Sequence, residues 1–281
     1  MKASKNLLEK KNMSTPKTEM RNPDSMHMDS MQTKDMALLM IRANYDAVKA
    51  CENAAEQIAA AIEAISNSFE RGGRLFYIGA GTSGRLGIID AAECPPTFGV
   101  PYTQVCGIIA GGNERVFKAG ENDEDKYENG CTDIRARFIT ENDAVVGISA
   151  AGNAAYVLGA LEEAKRLGAV TIGISSNENT LILSAADIPI FTDTGAEVLT
   201  GSTRLKAGTA QKIILNTLST CAMVKTGKVY ENMMINLRPS NIKLRGRVIR
   251  ITREILGCDE EEAVRRLDAA DWNIRAAVEL K

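Results

Sequence analysis

Five short apolar runs, at 75–78, 104–109, 144–148, 170–174 and 188–191, limit how this chain folds more than any other feature. Each is largely apolar at consecutive positions rather than alternate ones. Helical stretches separate or follow them, at about 83–92, 113–120, 154–167, 179–185 and 203–226. A strand that is apolar on both faces needs cover on both, and parallel strands with helical crossovers on either side supply it. The expectation is an α/β fold, a doubly wound parallel sheet flanked by helices. Ligands of such sheets collect outside the carboxyl ends of the strands, which points to the loops at 79–84, 110–114, 149–155 and 175–179.

The flanks read differently. Residues 1–33 mix Lys, Ser, Thr, Asn, Pro and Met without periodicity, as an extended, loosely ordered arm. From 34 to 70 apolar residues recur at helical spacing, with Ala59, Ala60, Ile62 and Ile65 on one helix. From 240 onward three short helices are expected. The first, around 249–256, is stopped by Gly257; Asp259 caps the second, and Asp271-Trp272-Asn273 turns into the third. The chain thus divides into an arm at 1–33, a main domain at 34–239 and a small helical, UBA-like bundle at 240–281, packed on its own protein.

With 281 residues, 44% of them apolar, the chain can bury one large core plus a small appendage. A net charge of −2 with interspersed signs argues against a nucleic-acid partner. No apolar run approaches the roughly 20 residues that span a bilayer, and the start lacks the apolar core of a signal peptide. The reading is a cytoplasmic protein without a membrane partner. Six scattered cysteines with no C-x-x-C pair fit reduced thiols. The single histidine, His27, lies in the arm, so no histidine chemistry and no metal site are expected in the folded body.

The first strand runs into Gly79-Ala80-Gly81-Thr82-Ser83-Gly84, and free N–H groups at the following helix start make an anion cradle. G-x-G-x-x-G matches the dinucleotide fingerprint, which also needs an acidic residue about 20 positions on. Residues 100–112 contain no Asp or Glu, and no G-K-[ST] occurs anywhere. A small phosphate ester or polyol suits the hydroxyls of Thr82 and Ser83 better. A second pattern, 197–211, sets Glu197, Ser202, Thr203 and Lys206 around one helix entrance. Ser202 or Thr203 caps the free N–H groups, and Lys206 projects from the same face.

The stretches YIGAGTSGRLGIIDAAECPPTFG (77–99), GIIAGG (107–112) and GAEVLTGSTRLKAGTAQK (195–212) closely resemble the N-acetylmuramic acid 6-phosphate etherases, members of the sugar isomerase (SIS) fold. TEMRNP (18–23) and the tail at 247–281 are similar to the same family. The resemblance implies cleavage of the lactyl ether at carbon 3 of a phosphorylated amino sugar, giving N-acetylglucosamine 6-phosphate and D-lactate, with no cofactor. It also implies that Glu93 of AAECPP is the acid and Glu121 of KAGENDED the base. A proton donor near neutral pH needs burial or a neighbouring carboxylate, and Ile88, Ile89, Ala91 and Ala92 suggest burial for Glu93. Glu121 lies in an acidic run, a pattern that also describes a solvated loop. If 83–93 is one unbroken helix, Glu93 lies about 15 Å from the glycine turn. Either the helix ends early or Glu93 serves a site completed by a second subunit; a homodimer with shared sites is expected.

One loop departs from the family. SIS proteins commonly carry S-x-S-G-x-T after the third strand, where hydroxyls hold the phosphate. Here the loop reads Ser149-Ala150-Ala151-Gly152-Asn153-Ala154-Ala155, with methyl groups at 151 and 154. Hydrogen bonds to a charged group contribute roughly 1.5–3 kcal/mol each, so losing two weakens phosphate binding about a hundredfold. Ser149 and the backbone N–H groups of Gly152 and Asn153 leave a weaker cradle. A non-catalytic sugar-phosphate sensor, similar to glucokinase regulatory proteins, is the second reading. A sugar isomerase is the third, disfavoured by the lack of a ring-opening histidine. The intact context of Glu93 favours the lyase.

Overall fold

The computed structural model describes residues 15–120, 122–237, 239 and 242–279. Helices α1 (Thr33–Asn53) and α2 (Ala55–Glu70) come first, and the helical segment at 34–70 is broken at Ala54, which turns with its small side chain buried. Strand β1 (Leu75–Gly79) leads into α3 (Gly81–Phe98), then β2 (Val105–Ile109), α4 (Glu114–Phe117), α5 (Tyr127–Ala136) and β3 (Ala144–Ile148). Helix α6 (Ala155–Arg166), β4 (Val170–Ser175), α7 (Leu181–Ala185), β5 (Ile188–Phe191) and α8 (Lys206–Lys225) complete the main body.

The five strands form one parallel sheet in the order β2-β1-β3-β4-β5. Along β1 the buried side chains alternate between two cores. Leu75 and Tyr77 join α1, α2, α3 and α8 on one face, while Phe76 and Ile78 join Ile134 of α5 and Leu161 of α6 on the other. The chain order reverses between β1 and β3, so the crevice outside their carboxyl ends is the topological switch point. Gly79 and Ile148 are paired there, which sets the turn after β1 beside the loop after β3.

Helix α5 is absent from the sequence reading. Its segment, YENGCTDIRA, is poor in strong helix formers. Packing makes the helix instead. A Cβ on Gly130 would sit 1.9 Å from the Tyr156 carbonyl oxygen, so α5 and α6 approach closely, and Cys131 Sγ donates to the Gly159 carbonyl at 3.3 Å.

The described part of the arm is docked rather than loose. It forms three 3-10 turns, Lys17–Glu19, Pro23–Ser25 and Met28–Ser30, and Asn22 caps the second by accepting from Asp24 N at 3.0 Å. Its polar composition suggested loose order, whereas Lys17, Thr18 and Asn22 anchor it through polar side chains.

A hairpin of β6 (Val229–Tyr230) and β7 (Met233–Met234) leads to α9 (Ile242–Leu256), α10 (Glu260–Ala269) and α11 (Ile274–Glu279). These helices share a small core that includes Val248, Ile251, Leu267 and Ile274. Asp259 caps α10 by accepting from Glu262 N at 2.9 Å, and Gly257 follows α9 in the left-handed region at φ +63°. Among the described residues no helix is long and apolar enough to cross a membrane.

Candidate active site at the carboxyl ends of the sheet

Helix α3 begins at Gly81 with no side-chain cap, because its N-cap is Ala80 and the first ladder bond runs from Gly84 N to the Ala80 carbonyl at 3.3 Å. The N–H groups of Gly81, Thr82 and Ser83 therefore open onto the crevice. Gly84 makes the turn possible: a Cβ there would lie 2.6 Å from Gly79 O and 2.7 Å from Ile109 Cγ1. Ser83 is buried and its hydroxyl donates to Gln211 Oε1 at 3.0 Å. With its proton committed, Ser83 Oγ presents lone pairs, which suit a sugar hydroxyl better than a phosphate oxygen. Arg85 turns away, donating to the Val116 carbonyl of α4 at 2.9 Å.

The second motif meets the first at the start of α8. The Cβ position of Gly208 lies 3.7 Å from Thr82 Cγ2 and 3.5 Å from Thr203 O, so the glycine turn and the α8 entrance share one wall. Capping, however, does not come from Ser202 or Thr203, which are half-buried in turns before the helix. Glu197 does it from a distance. Fully buried, it accepts from Lys206 N at 2.9 Å and Ala207 N at 3.0 Å, one bond to each carboxylate oxygen. Nor is the Lys206 ammonium free over the crevice; it is buried and donates to Asp46 of α1 at 2.9 Å.

The loop after β3 is also organised from within. Gly152 stands at φ +76°, and a side chain there would meet Ser175 Oγ and Thr180 Cγ2, each at 2.4 Å. Its N–H donates to Ser149 Oγ at 3.0 Å, so it is not available to an anion, contrary to the sequence expectation. The Ser149 proton remains to donate. Asn153 Oδ1 accepts from Leu181 N at 3.2 Å, and α6 starts after its N-cap Ala154 with no side-chain cap. Tyr156 N donates to the Glu124 carbonyl at 2.9 Å, which brings the acidic loop against the first turn of α6. Glu121 itself lies outside the described residues. Its neighbour Asp123 pairs with Arg115 at 2.7 Å and Lys126 at 2.9 Å; these hold its carboxyl below the usual range against the opposing effect of desolvation.

Glu93 departs furthest from expectation. Helix α3 runs unbroken to Phe98, through Pro95 and Pro96, and ends at Gly99 in the left-handed region. Buried Cys94 and Phe98 hold this last turn to the core although the two prolines remove ladder donors. Glu93 is exposed within the single chain, and Ile89, one turn earlier, is 59% exposed. The apolar residues before it face the sheet or solvent rather than enclosing the carboxylate. The helix thus carries Glu93 roughly 15 Å from Ser83.

Two buried polar residues between α3 and α8 were not among the sequence candidates. Gln211 orients Ser83 and is 1% exposed, with Nε2 buried and unpartnered among the described residues; a glutamine on the apolar face of α8 was the available signal. Asp90, on α3 facing α8, accepts from Asn216 Nδ2 at 2.6 Å and Ser219 Oγ at 3.2 Å. Burial pushes its carboxyl above the ordinary range, and the hydrogen bonds from Asn216 and Ser219 oppose this.

Comparison with known proteins shows the family and the fold. Residues 57–165 match the family described as glucokinase regulatory protein N-terminal SIS domain, and residues 133–220 match the SIS domain family. The N-acetylmuramic acid 6-phosphate etherase of Pasteurella multocida is 47% identical over 261 residues, covering 93% of this chain and 87% of that relative. The protein of the same name from Clostridium beijerinckii is 44% identical over 271 residues, covering 96% and 89%. A phosphoheptose isomerase from Francisella tularensis has a TM-score of 0.54 at 18% identity, over 69% of this chain and 100% of that one, and shows the shared fold.

Proposed function

The chain belongs to the N-acetylmuramic acid 6-phosphate etherases, and on that premise we propose how its residues carry the reaction. The enzyme is a carbon–oxygen lyase that cleaves the lactyl ether of a phosphorylated amino sugar, leaving N-acetylglucosamine 6-phosphate and D-lactate. The observation that carries the assignment is the meeting of the glycine turn and the α8 entrance at Gly208, beside an uncapped α3.

The phosphate sits over the first turn of α6, held by the Ser149 hydroxyl and the backbone N–H groups of Asn153, Ala154 and Ala155. Thr82 and Ser83 receive sugar hydroxyls, while Ser202 and Thr203 line the opposite wall. Glu197 serves through the backbone, fixing the start of α8, and Lys206 contributes a positive field while paired to Asp46. In the open-chain sugar the carbonyl acidifies the proton on carbon 2. Glu121, as base, takes that proton; the C2–H electron pair forms the C2=C3 bond, and the C3–O bond breaks toward lactate. Glu93, as acid, delivers a proton to the departing oxygen. Water then adds across the double bond, hydroxyl to carbon 3 and proton to carbon 2.

An exposed Glu93 some 15 Å along an unbroken helix cannot serve the turn at that helix's own start. The reading is therefore a homodimer in which Glu93 of one copy completes the site of the other. The same reading places the protein in the cytoplasm, with an arm at 1–33, a main domain at 34–239 and a bundle at 240–281. The test is lactate release from N-acetylmuramic acid 6-phosphate by the full chain and by Glu93→Gln. Release by the wild type and a loss of at least a hundredfold in the variant support the assignment. Tight sugar-phosphate binding without lactate from the wild type would return the chain to the sensor reading.

A further inference from the structure

Three loops at the carboxyl ends of the sheet converge on a residue outside the main domain. Thr18, on the arm, is fully buried although Lys17, Glu19 and Met20 around it are exposed. Its hydroxyl accepts from Asn177 Nδ2 at 3.0 Å, its N–H reaches Asn177 Oδ1 at 3.5 Å, and its carbonyl accepts from Gly201 N at 3.2 Å. Asn177 Nδ2 also donates to the Ala150 carbonyl at 3.2 Å, and Asn177 N donates to Ser175 Oγ at 3.1 Å. One arm residue thereby ties the loop after β3, the loop after β4 and the segment before α8. Asn22 adds a bond to the Ala196 carbonyl at 3.2 Å, and Lys17 pairs with Asp193.

The chemistry of this anchor separates it from ordinary core packing. An arm held for stability alone would bury an apolar side chain, yet Met20 and Met26 are 52% and 43% exposed while a threonine occupies the buried place. A hydroxyl there contributes directional bonds and little apolar area. The tied loops are the ones that carry Ser149, Asn153, Ser202 and Thr203.

We propose that Thr18 is a positioning residue of the sugar-phosphate site, holding the loops after β3, β4 and β5 in binding geometry through Asn177 and Gly201. This rests on the reading that the ligand binds at those loops. By linkage the effect is reciprocal: whatever the docked arm adds to ligand affinity, bound ligand returns as tighter docking of the arm.

The experiment uses the full chain and the product N-acetylglucosamine 6-phosphate as probe, titrated calorimetrically into wild type, Thr18→Val and Thr18→Ser. The valine variant should bind about tenfold more weakly, ~1.4 kcal/mol, and show a raised KM with kcat within about twofold; serine, which keeps the hydroxyl, should restore both. In the wild type, saturating product should slow trypsin cleavage after Lys17 and Arg21, followed by mass spectrometry of the N-terminal peptide. Wild-type affinity in a folded Thr18→Val overturns the proposal, and so does arm cleavage that product leaves unchanged, a readout that needs no variant. A wild type that binds no sugar phosphate refutes the site reading itself, and this inference with it.

Discussion

Removing the carboxylate of Glu197 tests how the α8 entrance is built. The side chain is fully buried and each oxygen takes one backbone N–H, from Lys206 at 2.9 Å and Ala207 at 3.0 Å. Charge-assisted bonds of this kind contribute roughly 1.5–3 kcal/mol each, and an unpaired buried donor costs about 1–3 kcal/mol. Glu197→Ala removes both acceptors and leaves a small void, so a loss of about 3–5 kcal/mol is expected. Glu197→Gln keeps one carbonyl acceptor but turns an N–H-bearing amide toward the second donor, for about 1.5–3 kcal/mol. Urea unfolding at pH 7, followed by far-UV circular dichroism, measures both. The order Ala worse than Gln worse than wild type, with a nearly constant slope, supports the cap. A loss under 1 kcal/mol in Glu197→Ala would show that the α8 start is held by something else, and the reasoning would fail.

Other outcomes follow from the same geometry. Ala151→Ser with Ala154→Thr should tighten binding of N-acetylglucosamine 6-phosphate by roughly ten- to a hundredfold, from one or two added bonds to a charged group; calorimetry that shows no gain would move the phosphate away from α6. Gly84→Ala should destabilise the chain by about 1–3 kcal/mol or more through its clash with Gly79 O and Ile109; a melting temperature equal to wild type would contradict that packing. The Asp90 carboxyl, raised by burial, binds its proton more tightly when folded, so the native state loses stability as pH rises from the ordinary carboxylate value through the raised one. Asp90→Asn removes that loss. Unfolding free energies at pH 4 and pH 8 should therefore favour the variant more at pH 8, and the opposite trend would show that the ionised carboxylate is stabilising.

The sheet was legible because each strand is a short run apolar on both faces, and that pattern has one economical solution. Helix α5 was not, because contact between Gly130 and the α6 backbone makes it rather than local propensity. The glycine turn and the 197–211 entrance were recognisable as polar clusters at helix starts. Their internal wiring was not, since Glu197 reaches across nine residues to do what Ser202 or Thr203 was expected to do. Thr18 and Asn177 lie 159 residues apart in sequence, and no periodicity links them. The motif singled out Glu93 as the expected acid, and its surroundings were misread, because apolar neighbours on a helix enclose a side chain only if they share its face.

The unbroken α3 and the exposed Glu93 make the shared site the central claim. Complementation tests it directly. On the proposed roles, Glu93→Gln lacks the acid and Ala154→Asp sets a carboxylate where the phosphate would sit while capping α6, so each should release almost no lactate alone. Co-expressed and allowed to assort at random, half the dimers are mixed, and each mixed dimer has one site with both defects and one with neither. Lactate release from N-acetylmuramic acid 6-phosphate should then recover to about a quarter of wild type. No recovery, with mixed dimers confirmed, would place Glu93 in the site of its own chain and contradict the account.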